Sequence, residues 1–253
     1  MTIARIAAAA AVAAAFLAGA RALASTDGTA DAAAAPATAT ARPAVPAEID
    51  LRPRFAEWGL ALRGQDSRPT CSVFAVVWAI EFALARARGH GEPLSVEYAN
   101  WAANQASGRV DDGSFFHEVW SGYQAHGICP EPLMPYAARF DPNAVPPDAA
   151  REAARELHAR FPLRIHWIAP LPERPGLSEA HLAAIKAVLA AGYPVCGGSH
   201  HSVLFVGYRD DPREPGGGVL YVRDSAGAGG HGSISYEAAK ARFGDVLWIE
   251  AAR

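Results

Sequence analysis

The sequence predicts an α+β protein in which a helical half precedes a half built from antiparallel strands. In the first half of the folded chain, apolar residues recur at helical spacing. Runs of alternating or uniformly apolar residues, which are typical of strands, appear mainly after residue 160. No internal repeat interrupts this order. Segregation of helices from strands along the chain is typical of the α+β class.

The N-terminal 24 residues have the pattern of a secretory signal peptide. One arginine lies within residues 1–5, an apolar run covers 6–20, and Ala22-Leu23-Ala24 supplies the small residues of a cleavage site. An uncleaved N-terminal membrane anchor is the alternative, although the run is short for a membrane span. Residues 25–47 are rich in Ala, Pro and Thr, which predicts a disordered linker. We expect an exported protein whose folded domain covers 48–253.

The longest uniformly apolar stretch of the folded chain, Val73 to Leu84, predicts a helix that is buried on every side. Pro69 and Thr70 suit its start as a first-turn proline and a hydroxyl cap, and Gly89 suits its end. Cys71 is then expected in the first turn. Unpaired backbone N–H groups and the helix dipole favour a thiolate there. The alternative is a small, buried structural cysteine.

The other elements follow from the same patterns. A helix begins after Leu94 with Ser95 as its cap, and a turn over 110–114 precedes a second helix that Gly127 ends. A proline-broken loop covers 128–136. The second half is predicted to contain helices at 147–160 and 178–191, strands at 163–169, 194–197, 201–208, 219–224 and 246–250, and a glycine-rich loop at 227–232.

Three cysteines remain in the chain: Cys71, Cys129 and Cys196. An exported protein can form disulfides, so a Cys129–Cys196 bridge that leaves Cys71 free is one possibility. Two separate buried thiols are the other, and the sequence leaves both open. The net charge of −3 offers no basis for binding nucleic acid. The spacing of cysteines and histidines contains no zinc motif, and we expect neither a metal nor another cofactor.

A thiol nucleophile needs a base that takes its proton and a third group that orients that base. Among nine histidines, the pair His200-His201 stands at the mouth of the most apolar predicted strand of the second half. A strand end that faces a helix N-terminus would form a cleft. The alternative is a strand-end histidine with purely local hydrogen bonds.

The order and spacing of these segments resemble those of papain-like cysteine peptidases, particularly the reduced bacterial forms. Gln65 precedes Cys71 by six residues, as the oxyanion-hole glutamine of that family precedes its nucleophile. The segment HSVLFVGY is similar to the family strand His-x-Val-x-x-Val-Gly-Tyr, which selects His201 over His200. Asp224, within RDSAG, stands where the family has the Asn of Lys/Arg-Asn-Ser-Trp-Gly. The resemblance extends from about residue 48 to 249.

The resemblance implies a papain-like two-lobed fold, with a helical lobe over about 65–140, an antiparallel β-barrel-like lobe over about 160–253 and the active site in the cleft. It also implies a site. Cys71 would be a thiolate paired with protonated His201, and Asp224 would orient the imidazole. Gln65 and the backbone N–H of Cys71 would form the oxyanion hole. By the same resemblance, Gly113-Ser114 stands where the family has a Gly-Gly that binds the substrate backbone.

The resemblance thus predicts an exported cysteine peptidase that hydrolyses a peptide or protein substrate through an acyl-enzyme. It implies a monomer, and the linker is too short for an inhibitory pro-domain, so a separate inhibitor protein is a possible partner. Ala226 stands where the family has a Trp that shields the base, which predicts a more solvated contact at Asp224. Two alternatives stay open: a catalytically weak peptide-binding protein in the same fold, and a thiol amidase that acts on cell-wall peptides.

Overall fold

A computed structural model describes residues 45–171 and 176–252, and the predicted signal peptide at 1–24 and most of the predicted linker lie outside these ranges. Within them the order of elements is β1 (Glu48–Asp50), α1 (Arg52–Glu57), α2 (Cys71–Arg88), α3 (Val96–Ser107), α4 (Phe116–His126), a 3-10 turn (Glu131–Leu133), α5 (Asp148–Arg160), β2 (Leu163–Ala169), α6 (Glu179–Ala190), β3 (Val195–Gly198), β4 (Val203–Asp210), β5 (Gly218–Asp224), β6 (Gly230–Ser235), α7 (Tyr236–Arg242) and β7 (Asp245–Ala251).

Helix α2 is the centre of the fold. Every residue from Val73 to Ala85 is buried, because α3 and α4 pack against one side of the helix and strands β3, β4 and β7 against the other. The helix ends at Gly89, whose φ of 78° is the left-handed conformation that glycine adopts without strain. The predicted buried helix is therefore confirmed.

The start of α2 differs from the prediction in its cap. Thr70 is the N-cap residue, but its hydroxyl accepts no backbone hydrogen bond from the helix. Instead, Thr70 Oγ1 lies 2.7 Å from the Tyr136 hydroxyl. Pro69 consequently precedes the cap and is not part of the first turn. The predicted cap of α3 is confirmed, because Ser95 Oγ accepts a hydrogen bond from the Tyr98 N–H at 2.9 Å.

The strands form one antiparallel sheet in the order β2-β7-β3-β4-β5-β6. Strand β1 pairs with the far half of β4, beyond the part that β3 occupies. The sheet is open, so the β lobe is not a closed barrel. The α+β class and the arrangement of helices before strands are as predicted.

The glycine-rich segment predicted as a loop over 227–232 is partly a strand. Strand β6 begins at Gly230 and pairs along its length with β5, from Asp224↔Gly230 to Val219↔Ser235. Glycine is unfavourable in an isolated strand, but the neighbouring strand supplies the hydrogen bonds that composition does not reveal. Helix α7 directly after it, and the short α1 and β1, were also not predicted.

The two halves share one hydrophobic core, to which α2 and the strands β3, β4, β5 and β7 contribute. A smaller cluster joins α3 and α5 through Tyr98, Ala102 and Ala154, and it encloses Cys129. Ahead of the sheet, the carbonyl oxygens of Pro46 and Ala47 accept hydrogen bonds from β4. None of the helices among the described residues is both long and apolar enough to span a membrane.

Candidate active site

Cys71 is the first residue of α2, where the helix leaves backbone N–H groups unpaired. The side chain is half-buried at the junction of the helices and the sheet. Burial raises the pKa of the Cys71 thiol, but hydrogen bonds from the His201 ring and from the Ser202 backbone N–H outweigh burial. These contacts hold the pKa of Cys71 below its ordinary value. The thiolate is thereby favoured.

His201 lies two residues before β4 and contacts both predicted partners. Its Nε2 is 2.6 Å from Asp224 Oδ1, which leaves Nδ1 as the ring nitrogen for Cys71. The hydrogen bond with Cys71 raises the pKa of His201; burial opposes this rise, and the hydrogen bond with Asp224 adds to it. The pKa of His201 is raised to about 9. Opposite shifts of the two groups favour an ion pair of thiolate and imidazolium.

Asp224 ends strand β5 and is oriented from two sides. Besides the His201 contact, Oδ1 accepts a hydrogen bond from the Ala226 N–H at 2.8 Å. The pair is not shielded from solvent: the side chains of His201 and Asp224 are 40% and 31% exposed, and Ala226 itself is exposed. This matches the expectation that alanine at 226 leaves the contact more solvated.

We expect the Asp224→Asn substitution to move the alkaline limit of activity to lower pH. Asparagine still accepts the hydrogen bond from Nε2, but it lacks the negative charge that helps to hold the proton on His201. Activity is lost as pH rises through the His201 pKa, so a lower pKa means earlier loss. Because the pair is partly exposed, we expect a shift of about one pH unit. The pH profile of kcat/KM measures it, and Glu152→Gln on the exposed face of α5 is the matched control.

Arg223 anchors the end of β5 that carries Asp224. Its guanidinium is buried between the rings of Phe55 and Trp78, 4.6 Å from each centroid, and Nη2 donates to the Leu60 carbonyl at 3.1 Å. Burial lowers the pKa of Arg223 to about 10. These contacts attach the strand end to α1 and α2, which holds Asp224 at a defined distance from the helix that bears the thiol.

Gln65 is buried beside the same site. Its Oε1 accepts a hydrogen bond from Ser225 Oγ at 2.7 Å, and its Nε2 donates to the Arg68 carbonyl at 2.6 Å. A side-chain amide carries two hydrogens on nitrogen, so one remains for a substrate oxygen. The Gln65 backbone N–H also donates to the Ser225 carbonyl at 2.7 Å. The residue after Asp224 thus fixes the position of the proposed oxyanion donor.

The loop that carries Gln65 is held by Arg68, whose role sequence reasoning did not identify. Arg68 is only 4% exposed, and its guanidinium forms ion pairs with Glu97 at 2.5 Å and Asp112 at 2.8 Å. It also lies 4.5 Å from the centroid of the Tyr136 ring. The Tyr136 hydroxyl in turn donates to the Gln65 carbonyl at 3.1 Å. Arg68 and Tyr136 therefore position the loop from its back.

We expect Arg68→Met to lower the free energy of unfolding by about 3–5 kcal/mol, because Glu97 and Asp112 would stay buried without a counter-charge. Urea unfolding measures the loss. Arg54→Met is the matched control, because its ion pair with Glu57 is exposed and worth less than about 1 kcal/mol. Neutralising both carboxylates in the Arg68→Met background is expected to recover most of the loss. An Arg68→Met variant as stable as Arg54→Met would contradict a buried ion-pair role.

Gly113 and Ser114 lie against the start of α2. Gly113 has a φ of 97°, and a Cβ at this position would come within 2.2 Å of the Pro69 carbonyl oxygen, so only glycine fits. The Ser114 carbonyl accepts a hydrogen bond from Ser72 Oγ. The Ser114 hydroxyl is buried, and no residue in the described ranges bonds to it. This hydroxyl is free to contact a substrate.

The other two cysteines are separate free thiols, so the Cys129–Cys196 bridge does not form. Cys129 lies in the loop after α4, and burial raises its pKa to about 12. Cys196 lies on β3, and its thiol donates to the Ala75 carbonyl at 3.3 Å. Burial raises its pKa well above the ordinary value. Both thiols are therefore chemically inert compared with Cys71.

A cleft of about 330 Å³ opens at Cys71 between the helices and the sheet. Ser114 and Phe116 line its helical side, and Gly198, His200 and Asp245 line its sheet side. His200 is exposed and does not contact Asp224. Within residues 45–171 and 176–252, no group of three or more His, Cys, Asp or Glu is arranged to hold a metal ion.

The structure brings together Gln65, Cys71, His201 and Asp224, all of which the sequence nominated. Sequence reasoning did not nominate Ser225 or Tyr136, which hold Gln65 and its loop. Ser225 stands within the RDSAG segment, so that segment contained the signal. Tyr136 offered only its place in a proline-rich loop.

Solved structures with the same architecture are papain-like cysteine proteases. Xylellain, a cysteine protease from Xylella fastidiosa, superposes with a TM-score of 0.62 at 21% identity, covering 83% of this chain and 88% of its own. Bromelain from Ananas comosus, in complex with the E64 inhibitor, gives a TM-score of 0.56 at 18% identity over 82% and 100%. Digestive procathepsin L 3 of Tenebrio molitor larval midgut gives 0.54 at 19% identity over 83% and 71%.

These similarities confirm that the chain has the papain-like fold and bear out the predicted resemblance at that level. No protein-family model matches the chain, and no curated protein matches it by sequence. At identities of 18–21%, the fold is what the similarity establishes.

Proposed function

We propose that this protein is a cysteine peptidase that uses Cys71, His201 and Asp224. The observation that carries the proposal is the chain of contacts from the Cys71 thiol through the His201 ring to Asp224, at the N-terminus of a buried helix. The pKa of the thiol is lowered and that of the imidazole is raised to about 9, which are the shifts that an ion pair requires. The papain-like fold of xylellain and bromelain, both proteases, supports it.

The proposed reaction proceeds in two steps. The Cys71 thiolate attacks the carbonyl carbon of a peptide bond, and the carbonyl oxygen becomes an oxyanion that the Gln65 amide and the Cys71 backbone N–H stabilise. Protonated His201 gives its proton to the leaving amine as the C–N bond breaks, which leaves a thioester at Cys71. In the second step, His201 takes a proton from water, and the resulting hydroxide releases the acid and restores the thiolate.

Three further properties are part of the proposal. Signal-peptide-like residues at 1–24 support export, to the periplasm or outside the cell. The absence of an electrostatic basis for nucleic-acid binding supports a peptide or protein as the substrate, acted on by a monomer without metal or cofactor. The short linker supports control by a separate inhibitor protein and not by a pro-domain.

The test combines covalent labelling with peptide cleavage. The epoxide E64, the inhibitor bound by bromelain, would be added to the purified protein across pH while cleavage of fluorogenic peptides is recorded in parallel. We expect fast labelling of a single thiol at mildly acidic pH, together with cleavage. A thiol that reacts only above the ordinary cysteine pKa of about 8.5 would contradict the ion pair.

Labelling without cleavage of any peptide would favour one of the alternatives, a peptide-binding protein or a thiol amidase on cell-wall peptides. The exposure of the His201–Asp224 contact is the observation that favours a weak enzyme. Mass spectrometry of peptides incubated with the protein separates slow cleavage from none.

A further inference from the structure

Asp245 is a buried carboxylate that the proposed mechanism does not use. It is the first residue of β7, it is 7% exposed, and it lines the same cleft as Cys71. Within the described part of the chain, no side chain donates a hydrogen bond to it or pairs with it. A buried charge without a partner destabilises a protein by several kcal/mol unless a ligand or a function compensates.

The position of the carboxylate against the cleft wall is well defined. Asp245 pairs with Gly198 across strands β7 and β3, and a Cβ at Gly198 would lie 1.7 Å from Asp245 Oδ1. The absence of a side chain at 198 therefore makes room for the carboxylate. Burial raises the pKa of Asp245, and its own backbone N–H and the charge of His117 oppose this only in part. These features are those of a carboxylate that lacks a strong cationic partner.

The rest of the cleft suits an aliphatic chain. Phe115 and Leu171 are large apolar residues with half of their surface exposed, at 50% and 53%, and both line the cleft together with buried Phe116. Lysine and arginine side chains pack an apolar stem along such surfaces and place a charge at the end. An apolar rim above a single buried carboxylate therefore matches a long basic side chain in shape and charge.

Arg242 is the one cationic side chain among those that line the cleft, and it could compete for the carboxylate. It is exposed, and no ion pair between Arg242 and Asp245 forms in the structure. The carboxylate is therefore open to a cation that enters with the substrate.

We propose that Asp245 makes this cleft selective for substrates that carry a lysine or arginine side chain next to the scissile bond. The inference rests on the proposed peptidase function, since it assigns the substrate class of the same site. A basic side chain would form a charge-assisted hydrogen bond with Asp245 in a site of low water content. A neutral side chain would leave the carboxylate unpaired, and an acidic one would be repelled.

The test compares peptides that differ at one position. Fluorogenic peptides with Arg, Lys, Leu or Glu at each position flanking the cleaved bond are assayed with the wild-type protein and with Asp245→Asn. We expect one position at which basic residues raise kcat/KM by about ten- to a hundredfold over leucine, the range of a hydrogen bond between charged groups. We expect Asp245→Asn to abolish that preference without lowering the melting temperature.

Two further variants serve as controls. Glu237→Gln removes one exposed charge from α7 outside the cleft and is expected to keep the preference, whereas Arg242→Ala is expected to strengthen it. A wild-type protein that cleaves peptides without any preference for basic residues would overturn the inference and leave the proposed function intact. A preference that survives Asp245→Asn would overturn it equally.

A second readout separates the two proposals if no peptide is cleaved. Peptidyl epoxides that carry arginine or leucine beside the reactive carbon would be compared by their rate of Cys71 labelling. Labelling requires the thiol and the cleft but no hydrolysis. Equal rates would refute the role of Asp245, whereas faster labelling by the arginine compound in an otherwise inactive protein would support Asp245 and refute only the peptidase.

Discussion

Replacing Cys71 with alanine is expected to abolish both E64 labelling and peptide cleavage. The thiolate is the only group in the proposed reaction that bonds to the substrate, and no neighbouring side chain can replace it. Removal of a nucleophile from a catalytic unit typically lowers kcat by about 10⁶-fold, so only background hydrolysis should remain. The fold should persist, because Cys71 is half-buried and packs at the edge of the core. Thermal unfolding, labelling and cleavage measured on one preparation test these points together.

The chain provides two matched controls for this experiment. Cys129 and Cys196 are fully buried thiols whose pKa burial raises, so Cys129→Ala and Cys196→Ala should keep wild-type labelling and cleavage in whatever fraction folds. Retained cleavage in Cys71→Ala would exclude Cys71 as the nucleophile. Loss of labelling in either control, with the fold intact, would mean that the reactive thiol had been misassigned.

The His201→Ala substitution is expected to have an effect of similar size and to change the pH dependence of labelling. Without the imidazolium, the Cys71 thiol loses its hydrogen bond and counter-charge, and burial then raises its pKa. Thiolate should therefore form only near or above the ordinary pKa of about 8.5, and labelling by an alkylating reagent should move from mildly acidic to alkaline pH. Peptide cleavage should fall by about 10⁴–10⁶-fold, because the leaving amine has no proton donor.

His200→Ala is the matched control for His201→Ala. The two histidines are adjacent, but His201 lies 2.6 Å from Asp224, whereas His200 is exposed at the cleft edge. We expect His200→Ala to keep the pH profile and most of kcat, with at most a change in KM. If His200→Ala abolished cleavage and His201→Ala did not, the assignment of the base would be wrong. A labelling profile that His201→Ala leaves unchanged would refute the ion pair but not the nucleophile.

Several features of the fold could be predicted because they depend on local sequence. Helix α2 follows from an uninterrupted apolar run that stops at Gly89, and the α3 cap follows from one serine before a helical pattern. The strand after His201 follows from a run of large apolar residues between polar ones. The four proposed catalytic residues could also be nominated, because each lies in a short motif at a fixed distance from an element boundary. Gln65 precedes the helix, His201 precedes β4, and Asp224 ends β5.

Other features required the tertiary structure, because they depend on pairs of residues far apart in the chain. Strand β6 exists because β5 lies beside it, although its glycines alone predict a loop. The loop of Gln65 depends on Arg68, whose partners lie 29 and 44 residues further along the chain. The open form of the sheet is likewise a property of strand pairing.

The sequence by itself thus determined the class, the central helix and the identity of the residues that meet at Cys71. The tertiary structure decided which thiols stay unpaired and what surrounds the site. Asp245 illustrates the reason. In the sequence it is one acidic residue before an apolar strand, because charge and hydropathy patterns record only neighbours along the chain. Its burial, its lack of a partner and its place in the cleft arise from contacts with Gly198, 47 residues earlier, and such contacts exist only once the chain has folded.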